Sequence, residues 1–285
     1  MTRILLVVAS SLFLTIPAMA EQPVNGDVRD PSGILTPGSV QSEQDGVAVY
    51  KEAKQLTTKA RSKEDLEKAI EKYQQALKIF ERTRSDKSEA DVLNRIGLIY
   101  ANLTDYQKAL IYCEKSLAIK RKVRDLNGEG AILSNIGEVY GLWGQYQKAL
   151  EYYEKSLTIY RGVGDAKEEG VTLNNIGLVH RSLGQYQKAM EYYEKSLAIF
   201  RKIGDAKNQG ITFSNIGEVY ELWGQYQKAL EYLEKSLHIS RKIGDVNQEV
   251  VTLNNIALVY RSLGKLQKTL EYHEKSQAIR QKVKE

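Results

Sequence analysis

Proline and cysteine are scarce in this chain of 285 residues, and both shortages restrict its structure. All four prolines lie before residue 40, so no later position is barred from a helix interior by a missing amide hydrogen or a ring clash. Cys113 is the only cysteine, which excludes a disulfide bond within the chain. The three histidines, His180, His238 and His273, are far apart in sequence, so we expect no metal site and no cofactor.

The chain also lacks a large excess of charge of either sign. It carries 41 basic and 36 acidic residues, a formal net charge of +5, and both signs are scattered along the whole sequence. This mixture is typical of a solvated surface, whereas nucleic-acid-binding proteins concentrate basic residues in a patch or arm. We therefore expect no nucleic-acid partner. Helix-forming Leu, Ala, Glu, Lys, Gln and Arg are abundant, which favours an all-α fold.

The first 20 residues have the three parts of a secretory signal peptide. Arg3 precedes a mostly apolar run, and Ala18-Met19-Ala20 supplies the small residues of a cleavage site. A retained membrane anchor is the weaker alternative, because the run is shorter than the roughly 20 apolar residues that a bilayer needs. We predict cleavage after Ala20, no membrane span in the mature chain, a periplasmic or extracellular location, and a flexible linker over residues 21–43.

The sequence repeats itself every 40 residues from about residue 88 onward. The clearest marker is isoleucine followed by a small residue, at Ile96-Gly97, Ile136-Gly137, Ile176-Gly177, Ile216-Gly217 and Ile256-Ala257. Residues 44–84 look like a degenerate opening copy, in which the first helix has drifted from the common pattern. We therefore predict a repeat domain over residues 44–285 with about six copies, at about 44–86, 87–126, 127–166, 167–206, 207–246 and 247–285.

Each copy has the pattern of two helices separated by glycine. In the copy from residue 167, apolar and small residues recur every three or four positions, as on one face of a helix, at Leu173, Ile176, Gly177 and His180. Gly184 is expected to end this first helix in the left-handed conformation. The second helix should begin at Gln185 and stop at Gly204, and Asp205 can cap the helix that follows.

These columns resemble the tetratricopeptide repeat family, whose signature has small, Tyr, Ala, aromatic and small residues at its eighth, eleventh, twentieth, twenty-fourth and twenty-seventh positions. The corresponding residues in the copy from 167 are Gly177, His180, Ala189, Tyr193 and Ser196. The resemblance implies an all-α, right-handed superhelical solenoid of antiparallel helix pairs.

The chain departs from that family in its period, which exceeds the usual length of about 34 residues, and in lacking a proline after the second helix. We infer that the second helix is longer by a turn or more. Repeats of 40 residues are similar to those of kinesin light chains and of bacterial arrays that often end in a caspase-like CHAT peptidase domain. No such domain is expected here.

The resemblance also implies where a ligand would bind, because first helices line the concave groove of such superhelices. Residues two positions before the small eighth residue can touch a bound peptide, namely Arg95, Asn135, Asn175, Asn215 and Asn255. An asparagine side chain offers both donors and acceptors, so a row of them can pair with the backbone of an extended peptide. Alternatively, these side chains join neighbouring repeats, and the sequence leaves both roles open.

On the same predicted face, glutamate alternates with leucine in one column and arginine alternates with glycine or glutamate in another. The charged residues Glu138, Arg181, Glu218 and Arg261 complete the candidate groove set, and they alternate with Leu178, Leu258, Gly141 and Glu221 in the other copies. Residues 131–170 match residues 211–250 at about 27 of 40 positions, so the alternation follows a two-repeat unit. The charges could read the charge of a ligand. They could equally form inter-repeat ion pairs, each of which contributes little at a surface.

The remaining unusual side chains have packing explanations. Cys113 and His180 stand in columns that hold tyrosines in other copies, so we predict a buried, inert thiol and a packed imidazole. Trp143 and Trp223 end two first helices and are expected to pack in the core or between hairpins.

The leading functional hypothesis is an exported scaffold that binds a protein or peptide partner in its groove. The alternative is a regulatory or sensor subunit for a separately encoded effector, such as a CHAT-type peptidase. An enzyme acting on cell-wall or peptide substrates would need a carboxylate pair, a metal-ligand cluster or a nucleophile with a base, and the sequence shows none at usable spacing. We therefore predict that the chain is not an enzyme.

Overall fold

The computed structural model describes residues 37–282 of the chain, and their side chains from residue 42 onward. Over these residues the chain forms twelve α-helices and no strand. In order they are α1 (Pro37–Lys59), α2 (Lys63–Thr83), α3 (Asp86–Asn102), α4 (Tyr106–Lys122), α5 (Leu126–Leu142), α6 (Tyr146–Val163), α7 (Ala166–Ser182), α8 (Tyr186–Ile203), α9 (Ala206–Leu222), α10 (Tyr226–Ile243), α11 (Val246–Ser262) and α12 (Leu266–Lys282). The predicted all-α fold and the number of helix pairs, about six, are confirmed.

The chain divides into two compact units between Tyr152 and Tyr153, within α6. The first unit holds α1 to α5, and the second holds α7 to α12. Within each unit, successive helices pack on one another, and first helices of neighbouring pairs also meet, α3 with α5, α7 with α9, and α9 with α11. No helix among residues 37–282 has the length and apolarity needed to cross a bilayer.

Aspartate and glycine set the helix boundaries. At the start of four first helices, an aspartate side chain accepts a hydrogen bond from the backbone amide three residues later, at 2.9 to 3.1 Å, the four being Asp125, Asp165, Asp205 and Asp245. Gly184 (φ +69°) and Gly204 (φ +71°) adopt the left-handed conformation, as predicted. In the first unit, Thr104 (φ 61°) and Arg124 (φ 56°) make equivalent turns without glycine, which is unfavourable for L-residues.

Small residues allow the two helices of a pair to approach closely. In the second unit, a Cβ atom on Gly177 would lie 2.6 Å from Cε1 of Tyr193, and one on Gly217 would lie 2.6 Å from Cγ of Leu233. In the first unit, a Cβ atom on Gly97 would lie 2.7 Å from Sγ of Cys113. Any larger residue at these crossings would therefore push the helices apart.

The structure differs from the sequence prediction at the first helix. We predicted a linker over residues 21–43, but α1 begins at Pro37, where proline is tolerated because the first amide of a helix needs no partner. The 40-residue period would place the small residue of the α1–α2 crossing at position 57. The small residue at that crossing is instead the fully buried Ala53, four positions earlier. The predicted signal peptide and residues 21–36 of the linker lie outside the described residues.

Candidate functional site

The predicted asparagine row makes hydrogen bonds between repeats in the second unit. Nδ2 of Asn215 on α9 donates to Oδ1 of Asn174 on α7 at 3.1 Å. Nδ2 of Asn255 on α11 donates to Oγ of Ser214 at 3.2 Å and to Oε1 of Glu218 at 2.7 Å. Asn175, Asn215 and Asn255 are all half-buried. These contacts are of the kind that the repeat-joining role requires.

The first unit contains the same type of contact. Asn135 on α5 is buried, and its Nδ2 atom donates to Oδ1 of Asn94 on α3 at 3.0 Å. Arg95 is half-buried on α3. A side-chain amide has two donor hydrogens and an acceptor oxygen, so one inter-repeat bond does not exhaust it. Ligand binding by this row stays a prediction.

Two of the predicted charged residues form an ion pair in the second unit. Nη1 of Arg181 on α7 donates to Oε2 of Glu218 on α9, and both side chains are partly exposed, 23% and 32%. Burial alone would lower the pKa of Arg181, but the Glu218 carboxylate outweighs it and raises that pKa. Arg261 is exposed, and among the described residues it has no ion-pair partner. Of the two predicted groove arginines, Arg181 is therefore neutralised by an ion pair, whereas Arg261 is exposed and unpaired among the described residues.

Glu138 is the first-unit counterpart of Glu218, and its surroundings are different. The place of Arg181 is taken in the first unit by Ala101, which has no charge. Burial raises the pKa of Glu138 above its usual range. The alternation of charges seen in the sequence thus produces an ion pair in the second unit and a desolvated carboxylate in the first.

One buried polar atom near the Arg181–Glu218 pair is unsatisfied. Tyr193 on α8 is fully buried, and its hydroxyl is the one buried side-chain polar atom without a hydrogen-bond partner among the described residues. Burial raises the pKa of Tyr193; Glu218 adds to this effect, while Arg181 opposes it. Both charged groups therefore act on the hydroxyl.

The predicted packing roles of Cys113 and His180 are confirmed, whereas Trp143 and Trp223 lie between hairpins and not in the core, since they are 37% and 40% exposed. Cys113 is fully buried, and desolvation raises the pKa of its thiol to about 12, which makes it inert. His180 is buried and stacks on Tyr192 with ring centroids 5.3 Å apart. The indoles of Trp143 and Trp223 each contact tyrosines of two hairpins, at 5.9 to 6.4 Å, the tyrosines being Tyr106, Tyr140, Tyr186 and Tyr220.

Lysines of the second helices cover tyrosine rings, which sequence reasoning missed. Each Nζ atom lies 4.9 to 5.3 Å from the ring centroid of a tyrosine on the preceding first helix, in Lys108–Tyr100, Lys148–Tyr140, Lys228–Tyr220 and Lys268–Tyr260. The signal was a tyrosine eight residues before a lysine in four copies. These cation–π contacts occupy the rings, so the rings are not open platforms for a ligand.

A buried lysine was also missed in the first unit. Lys120 occupies the column that holds Phe200 in the second unit, and its side chain is 7% exposed. Its Nζ atom lies 2.7 Å from Oδ1 of Asp91 and 3.1 Å from Oδ2 of Asp125. Burial alone would lower the pKa of Lys120, but the two carboxylates raise it. Within the described residues, no group of three or more His, Cys, Asp and Glu side chains is arranged to hold a metal ion.

Paired helices, a small residue at each crossing and contacting first helices define this chain as an α-helical repeat protein. Its sequence matches the tetratricopeptide repeat family over residues 88–162 and 168–242, and a second form of that repeat matches residues 250–283. These matches cover more than half of the chain, so the chain belongs to the tetratricopeptide repeat family. No curated protein matches the sequence significantly.

Solved structures support the same fold. A putative kinesin light chain with nearly identical TPR-like repeats from Podosopora anserina is 22% identical, with a TM-score of 0.55 over 70% of this chain and 97% of that one. A Rap protein in complex with competence and sporulation factor is 17% identical, with a TM-score of 0.58 over 87% and 77% of the two chains. A signal transduction ATPase with a tetratricopeptide repeat sensor from Pyrococcus horikoshii is 21% identical, with a TM-score of 0.65, and the match covers 85% of this chain and 37% of the ATPase chain. The predicted resemblance to kinesin light chains is confirmed, and at these identities it concerns the fold alone.

Proposed function

We propose that this chain is an exported, non-catalytic scaffold that binds a protein or peptide partner through the first helices of its repeats. The observation that carries the proposal is the partly open row of polar side chains on α7, α9 and α11. Asn175 has no hydrogen-bond partner among the described residues, and Asn215 uses one amide hydrogen toward Asn174. Arg261 is exposed on the same kind of helix. These groups retain donors and acceptors that a peptide backbone or side chain can use.

Two further observations support this proposal. Members of the tetratricopeptide repeat family are generally scaffolds, and a Rap protein of the same fold was solved in complex with competence and sporulation factor. Export rests on Arg3, the apolar run that follows it and the small residues before Glu21. Lysines of the second helices are engaged in contacts with tyrosine rings, which is consistent with a binding groove formed by the first helices instead.

Affinity capture from the exported compartment tests the proposal, with the mature chain from Glu21 as bait. Arg261→Glu is the groove variant, because the Arg261 side chain has no ion pair to lose. Lys202→Glu makes the same change of charge at an exposed position of a second helix and is the matched control. We expect a partner that binds the wild type and Lys202→Glu but is retained at least several-fold less by Arg261→Glu. Equal retention by all three baits would contradict binding through the first helices.

The second candidate function is a regulatory or sensor subunit for a separately encoded effector. It is favoured by the solved ATPase from Pyrococcus horikoshii, in which a tetratricopeptide repeat array is named as a sensor. This candidate predicts that the captured partner is an enzyme whose activity changes when the mature chain is added. A captured partner without a catalytic activity that responds to the chain would count against it.

A further inference from the structure

The turns between first and second helices lie side by side along one edge of the second unit. Trp223, in the turn between α9 and α10, contacts Tyr186 at the start of α8, with ring centroids 6.0 Å apart. Oγ of Ser262, at the end of α11, donates to Oε1 of Glu221 near the end of α9 at 2.7 Å. We call these three connected turns the turn edge, which comprises residues 182–188, 222–228 and 262–268.

The turn edge exposes apolar side chains. Leu222 is 53% exposed and Trp223 is 40% exposed, and each neighbouring turn carries an exposed leucine, at Leu183 and Leu263. A Cβ atom on Gly224 would have no atom beyond its chain neighbours within 4 Å, so the middle turn is open. Serine occupies the place of Leu222 in both neighbouring turns. The packing of the repeat therefore does not require a leucine there, and its exposure indicates a contact with another molecule or surface.

The charge of the turn edge is of one sign. It contains no aspartate or glutamate, but it contains four lysines, namely Lys188, Lys228, Lys265 and Lys268. The turns at the opposite ends of the hairpins also contain four lysines, but there they are accompanied by four acidic residues, over residues 162–168, 202–208 and 242–248. The two edges of the second unit therefore differ in acidic residues and not in the number of lysines.

The positive charges of the turn edge are available to a ligand. All four of its lysines are exposed, and none has an ion-pair partner in the described part of the chain. Lys228 and Lys268 cover the rings of Tyr220 and Tyr260, a type of contact that leaves the charge of the ammonium group unneutralised. The turn edge thus combines open cationic groups with an exposed indole and exposed leucines.

This combination fits a membrane surface better than it fits a protein. Tryptophan is enriched where a bilayer meets water, because its ring is apolar and its N–H group is polar. A lysine close to an anionic membrane typically strengthens binding about five-fold. Protein–protein interfaces, by contrast, are depleted in lysine and enriched in arginine, and the turn edge contains no arginine.

We propose that the turn edge binds the surface of a membrane that contains anionic lipids. Trp223 and Leu222 enter the boundary between headgroups and acyl chains, and the four lysines face the headgroups. This membrane contact is peripheral and uses a different surface from the polar row on the first helices. A partner held on the first helices would therefore be held next to the membrane, but each of the two contacts can fail without the other.

Co-sedimentation with lipid vesicles tests the proposal. The chain from Glu21 is used, because it contains every described residue and lacks the apolar run before Ala20, which would bind lipid by itself. We expect at least about ten-fold stronger binding to vesicles of phosphatidylcholine mixed with phosphatidylglycerol than to phosphatidylcholine alone, and weaker binding at high salt. In a Trp143→Phe background, the emission of Trp223 should shift to shorter wavelength on the mixed vesicles, since lipid replaces water around the indole.

Matched variants assign the binding to the turn edge. Lys188→Glu with Lys265→Glu should weaken binding to the mixed vesicles at least about ten-fold, whereas the same change of charge on the opposite edge, Lys202→Glu with Lys242→Glu, should weaken it less than about three-fold. Leu222→Ser places there the residue of the neighbouring turns and should weaken binding at least about three-fold. Ile203→Ser removes an equally exposed apolar group from the opposite edge and should leave binding unchanged. Thermal melts check that each variant is folded.

Three results would overturn the proposal. They are absence of binding to the mixed vesicles, as expected if the turn edge docks on a protein instead; equal binding to both kinds of vesicle; and equal losses from the turn-edge variants and their controls. Each of these results leaves the proposed binding of a partner by the first helices untouched, because that function is tested by partner capture and not by lipid.

Discussion

Asn215 joins two repeats of the second unit through one hydrogen bond, so alanine at this position should lower the stability of that unit. The bond runs from Nδ2 of Asn215 to Oδ1 of Asn174 at 3.1 Å, and Asn174 is 8% exposed. Water can reach Asn174 only poorly, and truncation of Asn215 leaves the Asn174 oxygen without this donor. The expected loss is about 1–3 kcal/mol, the usual cost of an unsatisfied buried polar group.

A double-mutant cycle separates this bond from other effects of truncation. Asn174→Ala and Asn215→Ala together should cost less than the sum of the two single variants, because no unpaired amide is left when both are removed. The expected coupling is about 0.5–1.5 kcal/mol, the net value of one hydrogen bond. If the two side chains merely faced solvent, each substitution would change the free energy of unfolding by close to zero, and the two effects would add.

Urea unfolding of the full chain, followed by tryptophan fluorescence, is the appropriate assay. A Trp143→Phe background leaves Trp223 as the only tryptophan, so the signal reports the second unit. Additive losses would refute the assignment of this hydrogen bond as a link between repeats. Unchanged stability in both single variants would refute the repeat-joining role of the asparagine row in this unit.

Four further outcomes are expected. Thr104→Gly should stabilise the first unit by about 0.5–1 kcal/mol in urea unfolding, since it removes a β-branched residue from a left-handed turn; destabilisation would show that the turn is unstrained. Gly177→Ala should destabilise by about 1–3 kcal/mol because its Cβ would meet the Tyr193 ring, whereas Gly162→Ala, with no atom within 4 Å, should not destabilise. Burial alone would raise the pKa of Asp125, but the Gly128 amide and Lys120 lower that pKa in the folded chain. The ionised Asp125 therefore stabilises the fold fully at a pH above its pKa in the unfolded chain, and this stabilisation is lost as the pH falls through its pKa in the folded chain. Thermal melts below about pH 4 should show this loss and Asp125→Asn should not. Mass spectrometry of the exported protein should give Glu21 as the first residue, and an N-terminus at Met1 would contradict the predicted cleavage.

Much of the fold was predictable because residues with the same structural role recur at the same position of each repeat. Small residues such as Gly177 mark helix crossings, and glycines such as Gly184 mark left-handed helix ends, as the structure confirms. The first pair was less predictable. Its helix α1 carries the small Ala53 four positions away from the periodic place, and the hydrophobic pattern by itself does not show such a shift of one helical turn.

The candidate site was predictable in its residues but not in its connections. The period placed Asn215 and Arg181 on first helices, yet their partners lie 41 and 37 positions away, at Asn174 and Glu218. Which side chains contact each other depends on how neighbouring hairpins stack, and the sequence of a single repeat does not determine that stacking. The unsatisfied hydroxyl of Tyr193 was invisible for the same reason, since tyrosine is an ordinary residue in its column.

Site-specific photo-crosslinking tests most directly whether the first helices bind a partner. A benzoylphenylalanine at Leu178 or at Leu258 places the probe on the same face as Arg181, one helical turn from the asparagine row, and Lys195 and Lys235 provide exposed control positions on second helices. The chain from Glu21 carrying each probe is irradiated with material from the compartment to which we propose that it is exported, and adducts are identified by mass spectrometry. The account predicts one partner crosslinked at both first-helix positions and not at the second-helix controls. Adducts only at Lys195 and Lys235, or the same adducts at all four positions, would contradict it.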